Sequence, residues 1–172
     1  KPRKLSEWAG TWQSTYPLLQ SGALDGVMAH KAKDGTKTAA EYKAYYEAAY
    51  KTDVTTITIK GNSVEFKSAH GTEKASYKAA GFYIRTKSDG SRQVRYKFER
   101  TTKKGGAPKF IVFSDHNFAP AKPEHFHLYA GDDGFDSLVE EGAHIPTYYP
   151  AQLSAREIAA EMTGEADAEY DE

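Results

Sequence analysis

The chain has 172 residues, 39% of them apolar and 27% charged, with no cysteine and a mean hydropathy of −0.71. That is the length of one medium domain, and no run approaches the roughly eighteen consecutive apolar residues that a membrane span requires. The missing cysteines exclude disulfide scaffolding, thiolate zinc sites and thiol nucleophiles together.

The chain opens Lys1-Pro2-Arg3-Lys4 with no cleavable leader pattern, which fits either a cytosolic protein or a mature or excised form. The first fifty residues read as helical. Ser6 is a candidate N-cap for a short segment carrying Trp8 and Trp12, and Ala23 to Lys31 is a second short segment. Thr38 to Tyr50 is the strongest helix, because Thr38 and Glu41 stand at capping-box spacing. Its aromatics Tyr42, Tyr45, Tyr46 and Tyr50 form one stripe, read as a packing face.

From Asp53 the hydrophobic period changes to two. Val54–Ile59, Ser63–Lys67, Lys74–Lys78, Phe82–Lys87, Gln93–Glu99, Lys109–Ser114 and His125–Ala130 read as strands. Lys60-Gly61-Asn62, Ser88-Asp89-Gly90 and Lys103-Lys104-Gly105-Gly106 supply turn chemistry between them. Short strands at such regular spacing favour a closed antiparallel β-barrel, since closure removes edges. Ser154 and Glu157 form another capping box, opening a helix through about Met162. The expectation is a mainly β single domain over 1–172 with helices at both ends, an ordered core over about 5–162 and a solvated acidic tail over 163–172. Neither solenoid repeats nor low-complexity tracts beyond that tail are present.

The balanced net charge of −1 hides a division. Residues 1–110 carry 21 basic and 10 acidic side chains, and the remainder carry 2 and 14. Half of the fourteen acids lie in the tail from Glu157; the others lie between Asp115 and Glu141, together with three of the six histidines. The lysines of the basic part are scattered over several elements rather than gathered in a stripe, which argues against nucleic acid.

The acidic segment contains Phe113-Ser114-Asp115-His116 and then Ala119-Pro120 and His125-Phe126-His127. Two histidines two apart in a strand project from one face, with Phe126 and Leu128 on the other. His116 ends the preceding strand, and a hairpin connection through Pro120 and Pro123 brings it toward the pair. Three imidazoles make a first coordination shell suited to zinc, at about 2.0–2.1 Å. Asp115 and Glu124 are candidates to orient the rings or to supply a fourth ligand, or to act as general base in a zinc-dependent hydrolase or hydratase. His30 and His70 are read as solvated. His144 is read as a loop histidine, with a place over the site as the alternative. A third reading uses the barrel interior as a lipocalin-type small-molecule pocket lined by tyrosines.

These histidine motifs, together with Leu5-Ser6-Glu7-Trp8-Ala9-Gly10-Thr11-Trp12-Gln13-Ser14, Tyr16-Pro17-Leu18-Leu19, Tyr50-Lys51-Thr52-Asp53 and Pro146-Thr147-Tyr148-Tyr149-Pro150, resemble the ZinT (YodA) family. The likeness runs from about Leu5 to Met162. It implies a lipocalin-like (calycin) barrel with added helices and an extracytoplasmic zinc-binding protein, with cadmium and nickel as other metals the family holds. Members occur free in the periplasm or as the C-terminal domain of AdcA-type zinc-uptake lipoproteins, and pass zinc to an ABC importer. The family's three ligands carry over onto His116, His125 and His127. The chain departs from some members in having Ala75 and Arg100 where a cysteine pair stands, and His144-Ile145 where Asn-Trp stands. It also has no histidine-rich stretch before Leu5.

Overall fold

The computed structural model describes residues 3–115, 123–138 and 144–170, with 165–170 described by backbone alone. The strands are β1 (Gly10–Ser14), β2 (Val54–Lys60), β3 (Ser63–Ser68), β4 (Gly71–Thr86), β5 (Arg92–Arg100), β6 (Phe110–Asp115), β7 (Phe126–Gly131) and β8 (Thr147–Pro150). Each pairs antiparallel with the next, and β8 returns to β1 to close the barrel. The helices are α1 (Tyr16–Ser21), α2 (Asp25–Lys31), α3 (Ala39–Tyr50), α4 (Phe135–Leu138) and α5 (Ala155–Tyr170). No helix among the described residues is long and apolar enough to cross a membrane.

Strand alternation decides what the barrel encloses. Trp12, Ile57, Phe66, Tyr77, Tyr96, Phe113, Phe126 and Tyr148, one from each strand in turn, belong to a single buried cluster. Trp8, fully buried, meets Tyr96 and Phe113 edge-on at 5.2 and 5.0 Å, and Phe113 stacks on Phe126 at 4.6 Å. A second core lies outside the wall, where Leu19, Leu24, Val27, Met28, Tyr50, Ile158 and Met162 pack around Tyr149. Tyr148 and Tyr149, adjacent in sequence, therefore serve different cores.

Both expected capping boxes form. Thr38 Oγ1 accepts from Glu41 N–H at 3.1 Å while Glu41 accepts from Thr38 N–H; Ser154 and Glu157 exchange the same pair of bonds. Three expectations need correction. Trp12 is not helical: only Leu5–Trp8 form a 3₁₀ turn, after which Gly10, at φ 129°, starts β1. Pairing on both sides, with β2 and β8, overrides the local helical pattern. The segments Lys74–Lys78 and Phe82–Lys87 belong to one strand, β4, whose register shifts between Ala79 and Phe82. Gly81, at φ 106°, supplies the backbone that the bulge requires. Finally, α5 continues past Met162 through Tyr170, because its Ala- and Glu-rich sequence favours helix.

Candidate metal centre on the outer wall

His125 immediately precedes β7 and His127 lies within it. Their neighbours Phe126 and Leu128 belong to the barrel interior, so both imidazoles stand on the outer side of the wall, as the alternation predicts. The ring centroids are 5.4 Å apart. His125 is 3% exposed and stacks on Tyr149 at 5.1 Å with an interplanar angle of 17°. Tyr50, at the end of α3, approaches His127 at 6.4 Å. The pair is thus held between the barrel wall and the helical core, along a cavity of about 1060 Å³ that both rings help to line.

The hydrogen bonds fix the tautomer of His127. Thr147 Oγ1 donates its single proton to Ile145 O at 2.8 Å. The same oxygen is 2.6 Å from His127 Nδ1, so it accepts there and Nδ1 carries the ring proton. The lone pair is then on Nε2, the arrangement that a metal-ligating imidazole needs. Thr147 is itself fastened by its backbone, whose carbonyl accepts from Thr15 N–H and Oγ1.

His116 lies outside the described residues. The structure does show that Ser114 of β6 is in register with His127 of β7, so the chain leaves β6 beside the histidine pair. Asp115, one candidate for orienting the rings or supplying a fourth ligand, instead belongs to the interior side: it is fully buried, and its carboxylate lies 3.2 Å from Arg3 Nε. The odd–even alternation that turns His127 outward turns Asp115 inward. Glu124 is exposed, and the group orienting His127 is a hydroxyl rather than either carboxylate. Among the described residues, no three His, Asp or Glu side chains form a metal-sized group.

His144 is exposed, lines the cavity and contacts Lys51 O through Nε2 at 2.5 Å. His70 is exposed on the same lining. His30 is half-buried in the last turn of α2 and is not among the residues that line the cavity. The tyrosine stripe divides: Tyr42, Tyr46 and Tyr50 pack on the second core, whereas Tyr45 is 45% exposed; Tyr45, Tyr46 and Tyr50 line the cavity.

Sequence reasoning missed Thr147, Tyr149 and Arg3. The first two carried a signal: in Thr147-Tyr148-Tyr149, a period of two puts Thr147 and Tyr149 on one face. The flanking Pro146 and Pro150 obscured the strand. Arg3 carried none, because nothing local marks a terminal arginine as the partner of a residue more than a hundred positions away.

A family model described as ZinT (YodA) periplasmic lipocalin-like zinc-recruitment matches residues 1–165. The zinc-binding lipoprotein AdcA of Streptococcus pneumoniae (strain ATCC BAA-255 / R6) is 49% identical over 163 residues, covering 94% of this chain and 32% of that protein. "Probable metal-binding protein YrpE" of Bacillus subtilis (strain 168) is 45% identical over 163 residues, 94% of this chain and 64% of the relative. The crystal structure of the Zn(II)-bound ZinT-like domain of S. pneumoniae AdcA superposes with a TM-score of 0.88 at 49% identity, covering 95% of this chain and 91% of that one. The chain therefore spans about a third of the full AdcA relatives, and nearly the whole of the excised domain.

Proposed function

Because the chain belongs to the ZinT (YodA) family of periplasmic lipocalin-like zinc-recruitment proteins, we propose that it captures Zn2+ outside the cytoplasm and supports zinc uptake by an ABC importer, handing the ion to the solute-binding component. His116, His125 and His127 are the proposed ligands, and residues 1–172 the single metal-binding domain. The observation that carries the reading is the Thr147–His127 hydrogen bond, which sets the ring in the metal-accepting tautomer beside a second imidazole. Neutral imidazoles leave the ion its full charge and, with a fourth position exchangeable, suit capture followed by transfer, whereas a closed four-ligand cage would hold on to it.

The role proposed is binding rather than catalysis. Asp115, one of the two bases that a hydrolytic reading would use, is engaged by Arg3 on the interior side of the wall. The relatives named for zinc binding, and the Zn(II)-bound domain of the same fold, support the choice of metal.

The test is a zinc titration against a competing chromophoric chelator. His125→Ala with His127→Ala should lose most of the affinity, and His116→Ala should weaken it comparably. Wild-type affinity in the folded double variant would refute the site assignment.

A further inference from the structure

The wall beside the histidines carries a second cluster, which metal capture does not use. Register sets Tyr83, Arg95, Ser114 and His127 side by side across β4, β5, β6 and β7. Arg95 is thus two strands from His127 on the same face, about 9–10 Å away at the strand spacing, and both line the same cavity.

Arg95 is 3% exposed. Its Nη groups reach Tyr83 OH at 3.2 Å and Tyr129 OH at 3.3 Å, both long, and the guanidinium lies 4.9 Å from the centroid of the Tyr129 ring. Among the described residues its buried Nε has no hydrogen-bond partner, and no carboxylate pairs with it. Ser114 Oγ, next in the row, is also buried and without a partner among the described residues. Buried guanidinium groups are ordinarily matched by a counter-charge, because desolvation penalises the isolated ion heavily. Phenol oxygens and an aromatic face compensate only in part.

The rest of the lining has the same sign. Among the described residues of the cavity wall, Lys31, Arg85, Lys87 and Arg95 face one acid, Glu73, and Glu73 accepts from Gly106 N–H. Arg85 and Lys87 follow Tyr83 at two-residue steps along and just past β4, and so share its face. Gln93, opposite Arg85, adds a neutral donor to the lining.

We propose that this cavity is a binding site for a small dicarboxylate anion. One carboxylate lies against the Nε edge of Arg95, in the slot flanked by the tyrosines, and the other is directed toward Lys87. A planar carboxylate fits the planar fork side-on and satisfies the Nε–H that the described residues leave without a partner.

Binding does not depend on the metal, so the test uses the metal-free full chain and stands apart from the zinc reading. Succinate is titrated by calorimetry and by its effect on the thermal midpoint, with phosphate and chloride at matched ionic strength. Wild type should bind succinate saturably and gain midpoint. Arg95→Gln should weaken binding by about tenfold or more, and Lys87→Ala by a smaller factor. Circular dichroism reports whether Arg95→Gln folds; where it does not, the half-buried Lys87→Ala decides. No saturable succinate binding, an undiminished effect in folded Arg95→Gln or in Lys87→Ala, or binding of phosphate without succinate each overturns the proposal.

Discussion

Replacing Thr147 with valine keeps the shape of a side chain that is 1% exposed and removes one oxygen. That oxygen accepts from His127 Nδ1–H at 2.6 Å and donates to Ile145 O at 2.8 Å. Without it the imidazole loses the bond that selects its tautomer and orientation, and groups of this kind ordinarily contribute about 10- to 100-fold in metal affinity, or 1.4–2.7 kcal/mol. The Ile145 carbonyl loses a donor as well, so the metal-free protein should fall in stability by about 1–3 kcal/mol. Zinc competition titrations and urea unfolding of the metal-free protein separate these two losses. Thr147→Ser, which retains the hydroxyl, should recover most of the affinity. A folded Thr147→Val protein that binds zinc within about twofold of wild type, or a serine variant as weak as the valine variant, would refute the orienting role.

Three further outcomes follow from buried polar groups and the core. Removing one partner of the buried Arg3–Asp115 pair by Arg3→Met should cost about 3–5 kcal/mol in urea unfolding, with part recovered in Arg3→Met/Asp115→Asn, because the loss lies mainly in stranding the other charge. Burial raises Tyr148 from 10.0 to about 12. The folded state thus retains a proton that the unfolded chain loses above pH 10, and stability present below pH 10 should fall by on the order of 2–3 kcal/mol as pH rises toward about 12; Tyr148→Phe should flatten that alkaline decline in pH-dependent unfolding. Trp8→Ala, which empties the centre of the barrel interior, should destabilise the protein by about 3–5 kcal/mol in the same assay.

The barrel was legible because its strands keep a two-residue period from Val54 onward, interrupted chiefly at the β4 bulge, and because both capping boxes use bonds within four residues. His125-Phe126-His127 was legible for the same reason: spacing alone puts the rings together. What was not legible depends on contacts distant in sequence. Trp12 sits in a locally helical context and becomes a strand residue only through partners more than forty and more than a hundred residues away. Asp115 and Ser114 are polar neighbours, and only the register with β5 and β7 shows that one faces the interior and Arg3, the other the wall beside the histidines. Arg95 looked like one of many scattered basic residues, since nothing in Val94-Arg95-Tyr96 announces that its outer side is covered.

The alternation along β7 makes a single short segment answer to two independent demands. Positions 126 and 128 are held by the shape of the interior, and positions 125 and 127 by the chemistry of the outer wall. Point changes in either set leave the other in place, so the ligand environment can diversify over generations without eroding the scaffold, and the scaffold can drift without loss of the ligands. Insertions and deletions enjoy no such freedom. One residue added or lost inside β7 would send imidazole into the aromatic interior and phenylalanine out to the cavity, failing on both counts at once. Length variation among relatives should therefore spare this strand and collect in the connections on either side of it.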